Sequence, residues 1–313
     1  MLIGQEPHKE KMMNKVLVTG GAGFIGSNLV DKLIDMGVEV TVIDDLSTGK
    51  KDNINSKANH WLQDLTEITS ESLGNTIKSF GIDTIFHLAA KTAVQESILE
   101  PELYNKSNVD VTLKLLEASR IAGVNKFVFS SSSSVYGDAE IPTTEYNEMF
   151  PLSPYATTKL IGEEYCKLYS EIHGIKTCIL RYFNVYGNRM NNEGGYKLVL
   201  PIFKELKEKG KKLTINNDGN QRRDFVHVDD ICDMNILCAQ YDFPYKFRTF
   251  NVGTGISYSV NEIADMFGTE LKKEYRNGVI EPFETLSDMS KANKELNFKP
   301  KDRLKIWVGE YSK

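Results

Sequence analysis

Apolar and polar positions alternate between two periods through the first 180 residues. Val16 to Val18 is an apolar run of strand length, and Phe24 to Met36 then repeats apolar residues at helical spacing. Glu39 to Ile43 reads as a second strand, and His60-Trp-Leu-Gln leads to Asp64-Leu65, which closes a third. Glu67 to Phe80 is helical in pattern. Asp83 to Ala90 is a fourth strand ending in small residues, which let a flat ligand approach closely. Leu99 to Ala122 carries a long amphipathic helix. Lys126 to Ser130 is a fifth strand, running into Ser131 to Ser134 and Val-Tyr-Gly137. A helix over Pro151 to His173 and a sixth strand over Ile175 to Leu180 follow. Repeated β-α-β units of this kind predict an α/β fold with a doubly wound parallel sheet.

Past Arg181-Tyr-Phe-Asn184 the pattern changes. Asn188 to Gly195 is a polar loop, Tyr196 to Lys209 a helix, Lys212 to Ile215 a short strand and Asn217 to Arg223 a loop. Asp224 to Val228 is another strand, and Asp229 to Ala239 another helix. Phe250 to Gly253 is expected to return to the main sheet, and the remainder, to Lys313, to form a small helical cap. Two interleaved domains result. Residues 15–185 with about 224–253 form the larger, and about 186–223 with 254–313 the smaller. Met1 to Asn14 is polar, lacks a signal-peptide apolar region and is expected to be a flexible N-terminal extension.

Composition adds exclusions. The chain has 313 residues, 41% of them apolar and 26% charged, with a net charge of −5. That charge argues against a nucleic-acid surface, which would be strongly basic. Lys50-Lys51 and the lysines between 209 and 212 are short clusters expected in solvated loops. No apolar run approaches the roughly 18 residues of a membrane span. Cys166, Cys178, Cys232 and Cys238 form no C-x-x-C pair and are expected as buried free thiols, which suits a reducing, cytoplasmic setting. His87, His173 and His227 lack metal-ligand spacing, so no metal is expected.

The candidate chemistry begins at Val16-Leu-Val-Thr-Gly-Gly-Ala-Gly-Phe-Ile-Gly26. Gly20, Gly23 and Gly26 lie three apart on a strand-turn-helix, one residue longer than the G-x-G-x-x-G fingerprint of Rossmann-type folds. The free N–H groups at the following helix N-terminus suit a pyrophosphate. Asp44 ends the second strand, where a carboxylate accepts from a ribose 2′-hydroxyl and repels a 2′-phosphate. The cofactor implied is NAD rather than NADP.

Tyr155-Ala-Thr-Thr-Lys159 places a phenol and an ammonium one helical turn apart on one face. A free tyrosine titrates near 10, so a tyrosine base at neutral pH needs about 4 kcal/mol of preferential stabilisation of its phenolate. A neighbouring Lys⁺ and the cationic nicotinamide have the right sign. The serine run at the fifth strand's C-terminal end puts hydroxyls where ligands of such sheets bind.

Taken together these stretches resemble the extended short-chain dehydrogenase/reductases, most closely the nucleotide-sugar 4-epimerases of the UDP-glucose (UDP-galactose) 4-epimerase group. The residues that carry the resemblance are Thr19 to Ser27, Asp44-Asp-Leu-Ser-Thr-Gly49, Asp64-Leu65 and His87 to Ala90. Further on they are Phe129 to Gly137, Ser153 to Lys159, Arg181 to Gly187 and Gln221 to Asp230. The resemblance implies that Ser132 hydrogen-bonds the substrate 4-oxygen, with Ser131 or Ser133 as fallbacks. It implies Tyr155 as base, and Lys159 as holder of the nicotinamide ribose that lowers the tyrosine pKa. Gly20, Gly23, Phe24, Ile25 and Gly26 would pack the pyrophosphate turn. Asp44, Asp45, Leu46, Ser47, Thr48 and Gly49 would take the ribose, and Asp64 and Leu65 would flank the adenine. Leu88, Ala89, Ala90 and Ser107 would line the cofactor cleft, with Phe183 beside the nicotinamide. Asn184 and Arg223 would bind the diphosphate of a UDP-linked sugar, and Val199 with Thr214, Ile215 and Asn216 its uridine. The reaction implied inverts C4 through a transient 4-keto sugar that rotates about its diphosphate linkage, with NAD regenerated in each cycle. A homodimer through two helices per subunit, 99–122 and 151–173, is implied as well.

The departures from the family pattern are informative. The 4,6-dehydratases carry Thr-Asp-Glu where this chain has Ser132-Ser133-Ser134, so the acid and base of elimination are missing. Arg276 and Glu281 stand near the positions of an Arg and an Asp that contact phosphate and ribose, with altered spacing. Thr285 lies near the place of a bulky tyrosine, which hints at room for an N-acetyl group. A UDP-glucuronate 4-epimerase, another NAD-dependent nucleotide-sugar epimerase or reductase, and a non-catalytic NAD-binding protein are the competing readings.

Overall fold

The computed structural model describes residues 13–190, 199–278 and 282–313. The expected extension through residue 12, Glu281 and the start of the helix expected from Tyr196 lie outside those residues. Six parallel strands come first: β1 (Lys15–Thr19), β2 (Glu39–Asp44), β3 (Asn59–Leu62), β4 (Thr84–His87), β5 (Lys126–Ser132) and β6 (Lys176–Tyr182). Between them run α1 (Phe24–Asp35), α2 (Ser70–Phe80), α3 (Val94–Leu99), α4 (Pro101–Tyr104), α5 (Val111–Ala122) and α6 (Pro154–His173). Next come β7 (Asn184–Tyr186), α7 (Val199–Glu208), β8 (Leu213–Asn216), β9 (Arg222–His227), α8 (Val228–Gln240) and β10 (Phe247–Val252). The chain ends with β11 (Ser257–Ser259), α9 (Val260–Phe267), β12 (Lys273–Arg276), β13 (Glu284–Thr285), α10 (Ser290–Leu296) and α11 (Leu304–Tyr311).

The main sheet has the order β10-β6-β5-β4-β1-β2-β3, with every pair parallel. Period-two alternation divides its side chains between two cores. Val16 and Val18 pack on the side of α1 and α8 with Leu29, Leu33 and Ile231. Leu17, between them, packs on the other side with Leu73, Leu115 and Cys166 from α2, α5 and α6. Both faces of the sheet are therefore covered, as a parallel sheet requires. Chain order reverses between β1 and β4, which opens the crevice where such sheets bind ligands.

Beyond the main sheet, β9 pairs with β7, β11 and β13, and β8 with β12. A third core holds them together through Leu200, Phe203, Leu213, Ile215, Phe225, Ile263 and Leu304. The C-terminal part is therefore not only helical: β11, β12 and β13 run for two to four residues. Strands that short carry too few alternations to be read from sequence.

The helix expected over 99–122 is broken. Pro101 starts α4 afresh after Leu99, and residues 105–110 form a π-helical turn before α5 begins. Among the described residues no helix is long and apolar enough to cross a membrane, and no group of His, Cys, Asp and Glu could hold a metal.

Candidate active site

The glycine turn is as tight as its spacing predicts. Gly20 has φ +71°, and a Cβ there would lie 2.8 Å from the Ala89 backbone nitrogen. A Cβ on Gly26 would lie 2.1 Å from the Gly20 carbonyl oxygen. Only glycine lets α1 start this close to the end of β1. Gly23 caps α1 without a side-chain hydrogen bond, so the helix N-terminus with Phe24 and Ile25 is left for an anion rather than closed by a hydroxyl or carboxylate.

Asp44, at the end of β2, receives the Ala22 N–H on one carboxylate oxygen (2.9 Å) and the Leu46 N–H on the other (2.8 Å). The carboxylate is thereby aimed from the second strand at the turn, and each oxygen keeps capacity for a ribose hydroxyl. The Asp45–Gly49 loop folds over it: a Cβ on Gly49 would lie 2.7 Å from Asp44 Oδ1. Asp45, Ser47 and Thr48 are exposed, and Leu46 is half-buried with φ +60°. These donors, glycines and acid fit a dinucleotide with a free 2′-hydroxyl.

The cleft floor is the end of β4. Thr19 Oγ1 accepts from the Leu88 and Ala89 N–H groups, both at 3.2 Å, and bonds His87 Nδ1 at 2.8 Å. His87 Nε2 bonds Thr112 Oγ1 at 2.9 Å. Burial pushes the His87 imidazole down to about 3, so it stays neutral at working pH. It is a packed histidine, not a ligand.

Sequence reading missed Asn108. Its Oδ1 accepts from Lys91 N (2.9 Å), and its Nδ2 donates to Lys91 O (3.0 Å) and Thr158 Oγ1 (3.0 Å). It therefore ties the segment after Leu88-Ala89-Ala90 to α6. Ser107, the expected lining residue, is only half-buried beside it. The π-helical turn selects Asn108, and no spacing rule signals such a turn.

Ser153 caps α6 by accepting from Ala156 N at 3.1 Å, and Pro154 is the first helical residue. That start buries Tyr155 in the first turn. One turn on, buried Lys159 donates to Ser130 O at 2.8 Å and lies 5.2 Å from the centre of the Phe129 ring. Burial lowers its ammonium to about 8. The Tyr-Lys face of α6 is thereby fastened to the end of β5, two residues before Ser132. Ser132 Oγ accepts from Ser134 N at 3.2 Å. Ser131, the fallback, donates to Glu163 of α6 at 2.5 Å. Phe183 is buried with Val135 and Tyr136 just beyond β6.

The expected substrate residues fall in two groups. Asn184 Nδ2 donates to Asp224 O at 3.1 Å and lies 3.5 Å from Thr285 Oγ1. Thr285 pairs with Arg223 across β13 and β9. The structure thus brings Asn184, Arg223 and Thr285 together. The second group is the β8–β12 ribbon, where Arg276 pairs with Asn216 and Glu274 with Thr214. Arg276 is exposed and bonded to Glu274 at 2.7 Å. Val199 starts α7, half-buried against the same core. Of the expected contacts, Ile215 and Leu65 have their side chains buried in the cores. Asp64 spends one oxygen on Thr66 N, at 2.8 Å.

These residues gather at the carboxyl edge of a Rossmann-type parallel sheet. The model of the NAD-dependent epimerase/dehydratase family matches residues 16–253. The UDP-glucose 4-epimerase of Mycolicibacterium smegmatis is 38% identical over 253 residues, 80% of each chain. The UDP-glucose 4-epimerase of Thermotoga maritima, solved with UDP-glucose, superposes with a TM-score of 0.89 at 35% identity, covering 95% of this chain and 97% of its own. The UDP-N-acetylglucosamine 4-epimerase of Methanobrevibacter ruminantium, solved with UDP-N-acetylmuramic acid, gives 0.89 at 36% identity over 96% and 97%. The chain belongs to the NAD-dependent epimerase/dehydratase family and, within the extended short-chain dehydrogenase/reductases, to its nucleotide-sugar epimerases. NAD is its cofactor.

Proposed function

We propose that this chain inverts C4 of a UDP-linked hexose, UDP-glucose and UDP-galactose or their N-acetyl forms. One observation carries the reading: buried Lys159 joins the helix of Tyr155 to the strand that ends in Ser132. In this reading Tyr155 takes the 4-hydroxyl proton and returns it after the sugar has turned. Lys159 favours the phenolate, and the Ser132 hydroxyl donates to the 4-oxygen as it becomes a carbonyl. Bound NAD supplies reversible hydride exchange at C4. Asn184 and Arg223 hold the diphosphate about which the 4-keto sugar rotates. The β8–β12 ribbon with Val199 takes the uridine, and Arg276, with Glu281 outside the described residues, stands in for the Arg and Asp that contact phosphate and ribose. The larger unit, 15–185 with 224–253, binds NAD, and the rest of the chain beyond residue 185 binds the UDP-sugar. Thr285, small and beside Asn184, favours the N-acetyl forms.

The test is incubation of the purified protein, without added NAD, with UDP-glucose, UDP-N-acetylglucosamine and UDP-glucuronate, with products resolved by NMR. Conversion of one of the first two to its 4-epimer, with no rise at 340 nm, is expected. Turnover of UDP-glucuronate alone would move the assignment to the uronic-acid epimerases. Net NADH would make it a reductase, and bound NAD with no turnover a non-catalytic protein. We further infer a cytoplasmic homodimer. The four buried free thiols fit a reducing compartment, and exposed Ile98, Leu99, Leu103, Leu168 and Ile172 on α3, α4 and α6 fit a self-association face.

A further inference from the structure

One ion pair lies deep beneath the site. Glu163 is 0% and Arg181 2% exposed at their side chains. The guanidinium grips the carboxylate with two bonds, Nε to Oε1 at 2.9 Å and Nη2 to Oε2 at 2.6 Å. Burying two charges costs several kcal/mol each before their attraction is counted, and apolar replacements of such pairs often match or exceed their stability. Stability alone is a weak reason for this pair to exist.

What the pair holds is more telling. Ser131 Oγ donates to Glu163 Oε1 at 2.5 Å. Arg181 Nη1 donates to Tyr136 Oη at 2.8 Å, and Tyr136 Oη donates to Asn251 Oδ1 at 2.6 Å. The segment 131–136 is thus held at both ends by one ion pair, and Ser132 lies inside it. Ser132 is extended, with φ −146° and ψ 147°, so strand alternation continues through it. Holding Ser131 against α6 fixes the backbone on which the next residue, Ser132, stands. Glu163 also sits on α6, one turn beyond Lys159 and two beyond Tyr155.

We propose that Glu163 is a positioning residue for C4 oxidation: with Arg181 it clamps segment 131–136 at both ends and fixes the Ser132 hydroxyl relative to Tyr155 and Lys159, which share its helix. This rests on the reading of Ser132, Tyr155 and Lys159 given above.

The test uses the full chain with its retained NAD and three variants: Ser131→Ala, Ser131→Thr and Glu163→Gln. Ser131→Ala removes one link and leaves the ion pair intact. Its kcat is expected to fall about tenfold, with KM within about twofold and NAD content unchanged, because a displacement on the order of 1 Å at the reacting centre costs up to about a hundredfold. Ser131→Thr restores the hydroxyl and the rate, and Glu163→Gln lowers kcat further than Ser131→Ala. A folded Ser131→Ala enzyme with wild-type kcat overturns the proposal, and so does a uniform loss that Ser131→Thr fails to rescue. Should Glu163→Gln not fold, the paired replacement Glu163→Leu with Arg181→Met keeps an apolar core, and wild-type kcat in it also overturns the proposal. Ser132→Ala separates the two readings. If it is fully active, the assignment of Ser132 fails. If it is inactive while Ser131→Ala turns over normally, only the clamp fails.

Discussion

At the scale of single residues, the role proposed for Lys159 predicts an alkaline limit to the reaction. Burial lowers its ammonium to about 8, below the ordinary lysine value. The charged form, which favours the Tyr155 phenolate, is complete well below that pH and is lost above it. The rate is therefore expected to fall about tenfold per pH unit above roughly pH 8 to 9, measured as initial epimerisation velocity at saturating substrate. Replacing Lys159 with Met removes the charge at every pH, so it should lower kcat and abolish that alkaline limb together. The local geometries that sequence alone made legible are those that depend on close neighbours along the chain. The glycine triplet, Asp44 after a strand, and Tyr155 with Lys159 one turn apart all belong to that set. Asn108 and Glu163 escaped notice because their partners, Lys91, Arg181 and Ser131, are 17 to 32 positions away. Ile215 and Leu65 are buried because a strand or its continuation turns every second side chain into the core.

Individual elements were legible in proportion to their length. The first six of the main sheet's seven strands and α1, α2, α5 and α6 carry enough repeats to show their period. The two-residue β13 does not, although it brings Thr285 to Arg223. The break between 99 and 111 was missed because a π-helical turn shifts the register without changing composition. At this scale α6 makes the sharpest prediction. Ser153 supplies the cap that starts the helix at Pro154, its Oγ accepting from Ala156 N and its carbonyl from Thr157 N, and Tyr155 stands in the turn that these bonds close. Ser153→Ala is expected to cost about 1 kcal/mol in denaturant unfolding. It should also lower kcat more than it raises KM, since the first turn carries the base. Equal kcat in a destabilised variant would show that Tyr155 is held by tertiary contacts instead.

For the whole molecule, the apolar residues left on the surface mark the proposed self-association face. Leu99 is 79% and Ile172 63% exposed, and α3 and α4 pack alongside α6, which carries Leu168 and Ile172. Leu99→Glu with Ile172→Glu is expected to convert a dimer to a folded monomer in light scattering, with little loss of secondary structure by circular dichroism. An unchanged mass would assign those side chains to some other role.

Asp224 joins the larger and smaller sheets through a fully buried carboxylate. One oxygen takes Thr254 N and Oγ1, both at 2.7 Å, and the other takes Gly255 N at 3.0 Å, Ser287 N at 3.1 Å and Ser287 Oγ at 2.5 Å. Thr254 and Gly255 follow the last strand of the main sheet, and Ser287 follows the strand that carries Thr285. In the proposed function Thr285 faces the sugar, two residues from this seam, so a substitution there that loosens Ser287 is expected to lower the melting temperature of the chain as well. New specificities are then expected to come with compensating substitutions far from any sugar.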